Sequence, residues 1–453
     1  MRMNYRFIST ILIFVLLFSC LLAGCTGGGN ATVVVENVAA LRQLDGKNAS
    51  AVITAGYHRS GDGCGFTYIK DPAAQRPQDN GGSVIVANDG TCWRAVYDGA
   101  LPLKLFGAVG DGKQDDTAAI RAWLAALQEG DCGYAAAGKY RFSETIVFPM
   151  RQNISIRGDG AQQTIFLYAG EDKNCDLFVI GTPEVELHGW NLESFSIDSK
   201  KTMEGGAALH LINMKHTTHL RDVSASRVDG RASKKLWNGV FFDNCSLTNY
   251  VGFEIFCQNA GVMLAGLEGS DSSADILLDQ GTINFSRIGI HCGGGVGGLY
   301  VGQVLVYGST EIGYLQDNAL VARGNREIFI SDQCVLDACQ SYCAFINDSL
   351  SKQGTLDFKA FITGAGWLEP ANPGTGISIQ KLPQGRVSIG SQHIKHCKAN
   401  GVEVLDLTTY VHVSPATYIV GNGGWGFFTQ RASQMIDNQA NMFSNTKGNT
   451  NVK

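Results

Sequence analysis

The chain has 453 residues, of which 17% are charged, and a formal net charge of −5 at pH 7. It has no basic run, which argues against nucleic acid as a partner. Fifty-six glycines against nine prolines, 44% hydrophobic residues and a mean hydropathy of −0.01 exclude a disordered chain and point to an all-β one with many tight turns.

Residues 1–24 read as a secretory signal. Arg2 and Arg6 precede an apolar run from Ile8 to Leu22, too short for a typical membrane-spanning helix, which ends in Leu22-Ala23-Gly24-Cys25. A cysteine directly after Ala-Gly resembles the lipobox of bacterial lipoproteins. That resemblance implies cleavage before Cys25 and a lipid on it, hence attachment to the cell envelope, at the outer membrane or cell surface. The other reading is an ordinary secretion signal with an incidental cysteine. Residues 25–36, with Thr26-Gly27-Gly28-Gly29-Asn30 near their start, then read as a flexible tether.

Of the 13 cysteines, Cys20 leaves with the signal and Cys25 takes the lipid, which leaves eleven. Cys339 and Cys343 are the nearest pair and have no second pair in register, so no metal site is expected. Cys245, Cys257 and Cys292 sit in apolar runs, where cysteine behaves as a small core residue.

Residues 37–100 form a small module. Runs at Ala51–Ala55, Gly65–Ile69, Ser83–Ala87 and Trp93–Tyr97 alternate with Gly/Asp/Asn turns and predict strands, after one short helix at 37–43. The series Ala55-Gly56-Tyr57, Gly61-Asp62-Gly63-Cys64-Gly65, Asp79-Asn80-Gly81-Gly82 and Trp93 resembles a module found ahead of the β-helix in phage tailspikes and related bacterial proteins. Two cysteines in one small exported module suggest a Cys64–Cys92 disulfide; two buried thiols is the other reading.

In "FGAVGDGKQDDTAAIRAW" (106–123), Ile120, Trp123, Leu124 and Leu127 fall on one helical face. Asp115 and Asp116 stand where an N-cap side chain accepts free backbone N–H groups, so they are read as starting the helix and not as a catalytic pair. Lys113 is not followed by GK[ST], so a phosphate loop is not supported. This stretch also resembles the opening of the pectate-lyase-superfamily right-handed β-helix, a family covering rhamnogalacturonase-like and epimerase-like proteins and many phage tailspike depolymerases. The first rungs expected of that family follow as Gly138-Lys139-Tyr140-Arg141-Phe142, Ile154-Ser155-Ile156-Arg157-Gly158-Asp159-Gly160 and Thr164-Ile165-Phe166, with Ala135-Ala136-Ala137 where the family usually has proline. The resemblance implies an all-β, single-stranded right-handed parallel β-helix over 101–430.

The later chain reads as a solenoid on its own terms. Short apolar runs finish on Gly plus an apolar residue at Gly252-Phe253, Gly289-Ile290, Gly313-Tyr314 and Gly401-Val402, with a step of 24 residues from Gly289 to Gly313. Residues 330–345 align with 389–404 at an offset of 59, two or three coils. Tyr418 to Phe428 reads as the last ordered coil, and the polar, Asn-rich residues 431–453 as a weak cap or frayed tail.

A filled β-helix leaves only its outer faces for chemistry. Glycoside hydrolysis needs two carboxylates. β-Elimination needs a base and a group that neutralises the sugar carboxylate, such as Arg, Lys or Ca²⁺. Epimerisation uses similar parts. The strongest local constellation is Arg323-Gly324-Asn325-Arg326-Glu327, followed by Asp332 and Asp337; "GNREIF" resembles a segment of capsule-degrading tailspikes. Arg326 could hold a substrate carboxylate and Glu327 act as acid or base, or the two could brace a loop. A second cluster joins Asp222, Asp229, Arg231, Asp243 and Glu254, read as a carboxylate pair across adjacent coils or as turn residues. His291, His210, His216 and His219 are further candidates. Trp190, Trp237, Trp367 and Trp425 are candidate sugar-stacking rings, with Trp237 and above all Trp367 preferred as substrate-binding.

No cofactor is evident, and Ca²⁺ enters only for a lyase. The resemblance implies a depolymerase, lyase or hydrolase, of an acidic bacterial exopolysaccharide or capsule. The alternatives are a non-catalytic glycan-binding surface protein and an epimerase. A homotrimer is implied by tailspikes of this fold.

Overall fold

A computed structural model describes residues 31–451 apart from 76, 226–234, 267–272, 369–371, 373 and 431–435. The signal, Cys25, Asp229 and Arg231 lie outside the described residues.

The N-terminal module is a five-stranded sheet. Strands Ala51–Thr54, Thr67–Lys70, Cys92–Ala95 and Val84–Val86 pair antiparallel in that order, each within two residues of its predicted run. Helix α1 (Val38–Gln43) is N-capped by Asn37, whose Oδ1 accepts the Ala40 N–H at 2.9 Å. The tether expected over 25–36 ends early, because Thr32–Val35 adds a parallel edge strand against Ala51–Thr54. The expected Cys64–Cys92 disulfide is absent, and both cysteines are buried free thiols. Cys64 points away from the sheet at the first coil, its thiol donating to Ala108 O at 3.3 Å, whereas Cys92 opens a central strand. Burial pushes the Cys64 thiol up to about 12.

From Leu101 the chain winds into a parallel β-helix whose coils contribute up to three strands. One coil comprises Gly298–Val301, Val304–Tyr307 and Ile312–Gln316, and each strand pairs with its counterpart in the coils before and after. The stacking produces three ladders, called here first, second and third; the third has twelve strands. All the ladder pairings are parallel, and the inward rows stack apolar residue on apolar residue. Ile283, Val306, Leu336, Ile362, Ile394 and Ile419 form one unbroken buried row in the second ladder. In the first coils the interior is aromatic, with Phe166 meeting Tyr140, Phe178 and Phe195 at 5.1–5.6 Å.

The Gly-apolar pairs have a packing cause. At the start of third-ladder strands a column of glycines faces inward. A Cβ on Gly261 would sit 2.4 Å from Ile283 Cγ2, one on Gly289 2.3 Å from Val306 Cγ1, and one on Gly401 2.5 Å from Ile419 Cγ2. The second-ladder side chains fill the space that these glycines leave. Cys245, Cys257 and Cys292 are fully buried, as their apolar surroundings predict.

Helix α2 (Thr117–Ala126) closes the N-terminal end with Ile120, Trp123 and Leu124 inward, and Trp123 Nε1 donates to Leu101 O at 2.9 Å. The two aspartates divide the work differently from the expected cap. Asp115 Oδ1 accepts the Thr117 N–H at 3.0 Å. Asp116, 1% exposed, turns back to accept Val109 N–H at 2.8 Å and Gly110 N–H at 3.1 Å, so it ties the glycine loop and not the helix.

The offset of 59 corresponds to two coils, since Ile330, Phe358 and Ile389 are in register. Beyond the corner the register moves by one: Leu336 stacks over Ile362 and Ile394, not over Lys395. The Asn-rich tail is a further coil, with strands Ile436–Asn438, Asn441–Phe443 and Gly448–Thr450. Its asparagines bond between coils: Asn445 Oδ1 accepts from Asn422 Nδ2 at 2.9 Å, and Asn451 Oδ1 accepts the Thr429 N–H at 2.8 Å.

Candidate functional site

The corner between the first and second ladders is built from left-handed residues. Ser194 (φ 60°), Asp222 (52°), Gly252 (71°) and Gln280 (51°) occupy it in successive coils. Short polar residues and glycine tolerate this conformation best. Three depressions adjoin this corner, the first two sharing Gln280, and together they form one outer groove.

The groove has three parts. The first, about 530 Å³, is bounded by the Gly160–Gln163 loop and by Asp222, Ser224, Gly252 and Glu254. Asp222 Oδ2 accepts the Ala161 N–H at 3.3 Å, and the Glu254 N–H donates to Ser224 Oγ at 3.1 Å. Two carboxylates from adjacent coils therefore share one open cleft. The second, on the second-ladder side of the corner, is lined by Gln280, Gln303 and Gln333. The third, about 370 Å³, is lined by Tyr300, Phe329, Asp332, Asp357 and Lys359. The rings of Tyr300 and Phe329 are parallel, 5.0 Å apart at 9°, and Lys359 Nζ lies 2.9 Å from Asp357 Oδ2. Second-ladder register runs Glu254, Thr282, Leu305, Val335. Three coil steps at about 4.8 Å each separate the carboxylates from the Phe329 coil by about 14 Å.

Among the expected site residues, Glu254 and Asp332 line this groove. Glu327 is exposed at the start of strand Glu327–Ile330, on the same outward face as Phe329. Arg326 is exposed beside it. Within "GNREIF" the asparagine is buried: Asn325 Nδ2 donates to Asp348 Oδ2 at 2.9 Å and to Asp317 O at 2.9 Å. Arg323 contributes its carbonyl, which accepts from Asn318 Nδ2 at 2.8 Å.

The remaining candidates stand on other faces. Asp337 is on the second ladder between Tyr307 and Thr363, and burial raises its carboxyl above the usual range. Asp243 lies on the third ladder, 3.6 Å from His210 Nε2, while His210 Nδ1 is 2.8 Å from Asp176 Oδ2. His291 is nearly buried on the same ladder, its Nε2 2.8 Å from Asp317 Oδ1. Trp237 packs against the core and Trp190 is fully buried, so neither is a free stacking surface. Trp367 is 68% exposed and stacks on His396 at 6.1 Å, at the corner between the second and third ladders. Among the described residues, no group of three or more His, Cys, Asp or Glu is placed to hold a metal ion.

Sequence reasoning passed over Tyr300, Phe329, Asp357, Lys359 and the three glutamines as site residues. Strand alternation puts Tyr300 and Phe329 on the outward face; only the coil register puts them over each other.

Comparison with known proteins agrees with this architecture. Residues 34–98 match the family described as phage tail protein small four-stranded beta-sheet domain. Residues 103–297 match the family described as rhamnogalacturonase A/epimerase, pectate lyase-like. Among solved structures, tailspike protein 3 of bacteriophage CBA120 superposes with a TM-score of 0.50 at 16% identity, covering 80% of this chain and 54% of that one. The enzymatically active domain of tailspike protein 2 of the same phage gives 0.45 at 14%, covering 95% and 54%. The tailspike protein of an Acinetobacter phage gives 0.49 at 13%, covering 93% and 72%. The chain thus spans about half the length of the two CBA120 chains. The two matched segments follow one another, a phage-tail-type β-sheet segment over 34–98 and a pectate-lyase-like segment over the first coils, 103–297.

Proposed function

We propose that this protein binds a bacterial polysaccharide along the groove and cuts it, with Asp222 and Glu254 as the acid–base pair. The observation behind this reading is the meeting of two carboxylates from adjacent coils in one open cleft. That cleft also falls within the segment that matches the rhamnogalacturonase/epimerase family. Two carboxylates flanking a glycosidic bond are the minimum equipment for its hydrolysis. The same groove, with its paired rings, would also serve a binding protein with no catalysis, which is the second reading.

The test incubates the full chain with a panel of bacterial polysaccharides. It follows new reducing ends, ultraviolet absorbance of unsaturated uronates, and retention on polymer-containing gels. Glu254→Gln is expected to abolish cutting while leaving retention and the unfolding midpoint unchanged. Cutting that survives in Glu254→Gln would reject this assignment. Retention without cutting by the unaltered protein would favour the binding reading.

A further inference from the structure

The charge on the groove bears on what can lie in it, given the groove's role as just proposed. Among the described residues its lining holds four carboxylates, Asp222, Glu254, Asp332 and Asp357, against one cation, Lys359. That cation is already engaged, with Nζ 2.9 Å from Asp357 Oδ2. Arg157 and Arg221, on the first ladder, flank Glu193 in register. The second-ladder side of the corner offers amides, Gln280, Gln303 and Gln333, which donate to and accept from hydroxyls without charge. On its first-ladder side, in the coils of Gln303 and Gln333, the parallel Tyr300 and Phe329 rings present an apolar surface, with Tyr300 42% exposed.

A polymer bearing a carboxylate on each repeat would set like charges against both ends of this groove, which repels it. β-Elimination acts on a uronate, so a groove that repels uronates disfavours that reaction as well. We infer that the groove takes a neutral polysaccharide and that the reaction is hydrolysis, not β-elimination. It differs from the acidic polymer that the sequence resemblance implies. In the step, one carboxyl gives its proton to the glycosidic oxygen as the C–O bond to the leaving sugar breaks. Water forms the new C–O bond, directly or after a glycosyl-enzyme ester according to the separation of the pair, and its proton passes to a carboxylate. Tyr300 and Phe329 hold a sugar about three coils from the bond, so chains of several residues are cut in preference to short ones.

The experiment separates bacterial exopolysaccharide by anion exchange into neutral and uronate-bearing fractions and incubates each with the full chain. The expected result is new reducing ends from the neutral fraction, at least about tenfold faster per mass than from the acidic one. A tenfold ratio corresponds to roughly 1.4 kcal/mol of discrimination. No uronate absorbance should accompany it. Equal or faster cutting of the acidic fraction, or any uronate absorbance, overturns the inference while leaving the depolymerase reading intact. No reducing ends and no absorbance from either fraction rejects the depolymerase reading, and the inference with it.

Discussion

The glycine column gives the sharpest test of how the coils are held. Gly289 lies in strand Ile288–Cys292, and a methyl on it would stand 2.3 Å from Val306 Cγ1 and 2.4 Å from the carbonyl oxygen of Gly313. The first neighbour is a side chain and can give way. The second is backbone of the next coil, tied into the ladder. Where space is free, Gly→Ala gains about 0.4–1 kcal/mol by restricting the unfolded chain. Overpacking a filled core costs about 1–3 kcal/mol. The two contacts are well under any tolerated separation, so the steric cost wins and Gly289→Ala should lose about 1–2 kcal/mol. Val306→Ala also loses stability, by cavity formation. In the double variant the methyl enters the space that valine vacates, so the combined loss should be smaller than the sum of the two. Urea unfolding midpoints of the full chain and the three variants measure this. A Gly289→Ala protein as stable as the original, or strictly additive losses, would refute the account of why glycine is there.

Three other outcomes follow from the geometry. Burial opposes charge on His210, but the hydrogen bond to Asp176 and the attraction of Asp176 and Asp243 outweigh it and raise its pKa to about 9. The stabilisation is full below the unfolded value of about 6.5 and is lost as pH rises through 9. His210→Gln should flatten that part of the stability–pH curve, and an unchanged slope would contradict the pairing. Asp116→Ala strands the Val109 and Gly110 N–H groups and should cost about 2 kcal/mol without altering polymer cutting once folded; its unfolding midpoint and specific activity check both. Tyr300→Ala with Phe329→Ala should weaken retention on a polymer-containing gel by about tenfold, since aromatic contacts are worth about 0.5–1.5 kcal/mol each. Its unfolding midpoint should move little, because both rings face outward.

Local pattern carried a good part of this structure. The periodicity of Ile120, Trp123, Leu124 and Leu127 marks α2, and turn residues bracket the four antiparallel strands of the module within two residues of their places. The repeat length from Gly289 to Gly313 is one coil. What local pattern could not carry is stacking between residues 22 to 36 positions apart. The corner before Val335 holds one residue more than that before His393, which shifts the alignment of 330–345 with 389–404 by one and exchanges inward for outward positions. The Asn-rich end read as a tail because asparagine rarely fills a core, yet here the side chains pair between coils. The groove was half visible: Glu254 and Asp332 stood out as charges, while the tyrosine, the phenylalanine and the glutamines gain meaning only from their neighbours one coil away.

Because the carboxylates and the paired rings belong to different coils, their separation is quantised. The carboxylates and the paired rings can be moved apart or together only by whole coils, about 4.8 Å at a time. Gaining or losing a single repeat in the Gln280–Gln333 stretch would retune which chain length fits while leaving every contact within each coil unchanged. Specificity in such a molecule can therefore change by duplication or deletion of a repeat as readily as by substitution, with the fold indifferent to the edit.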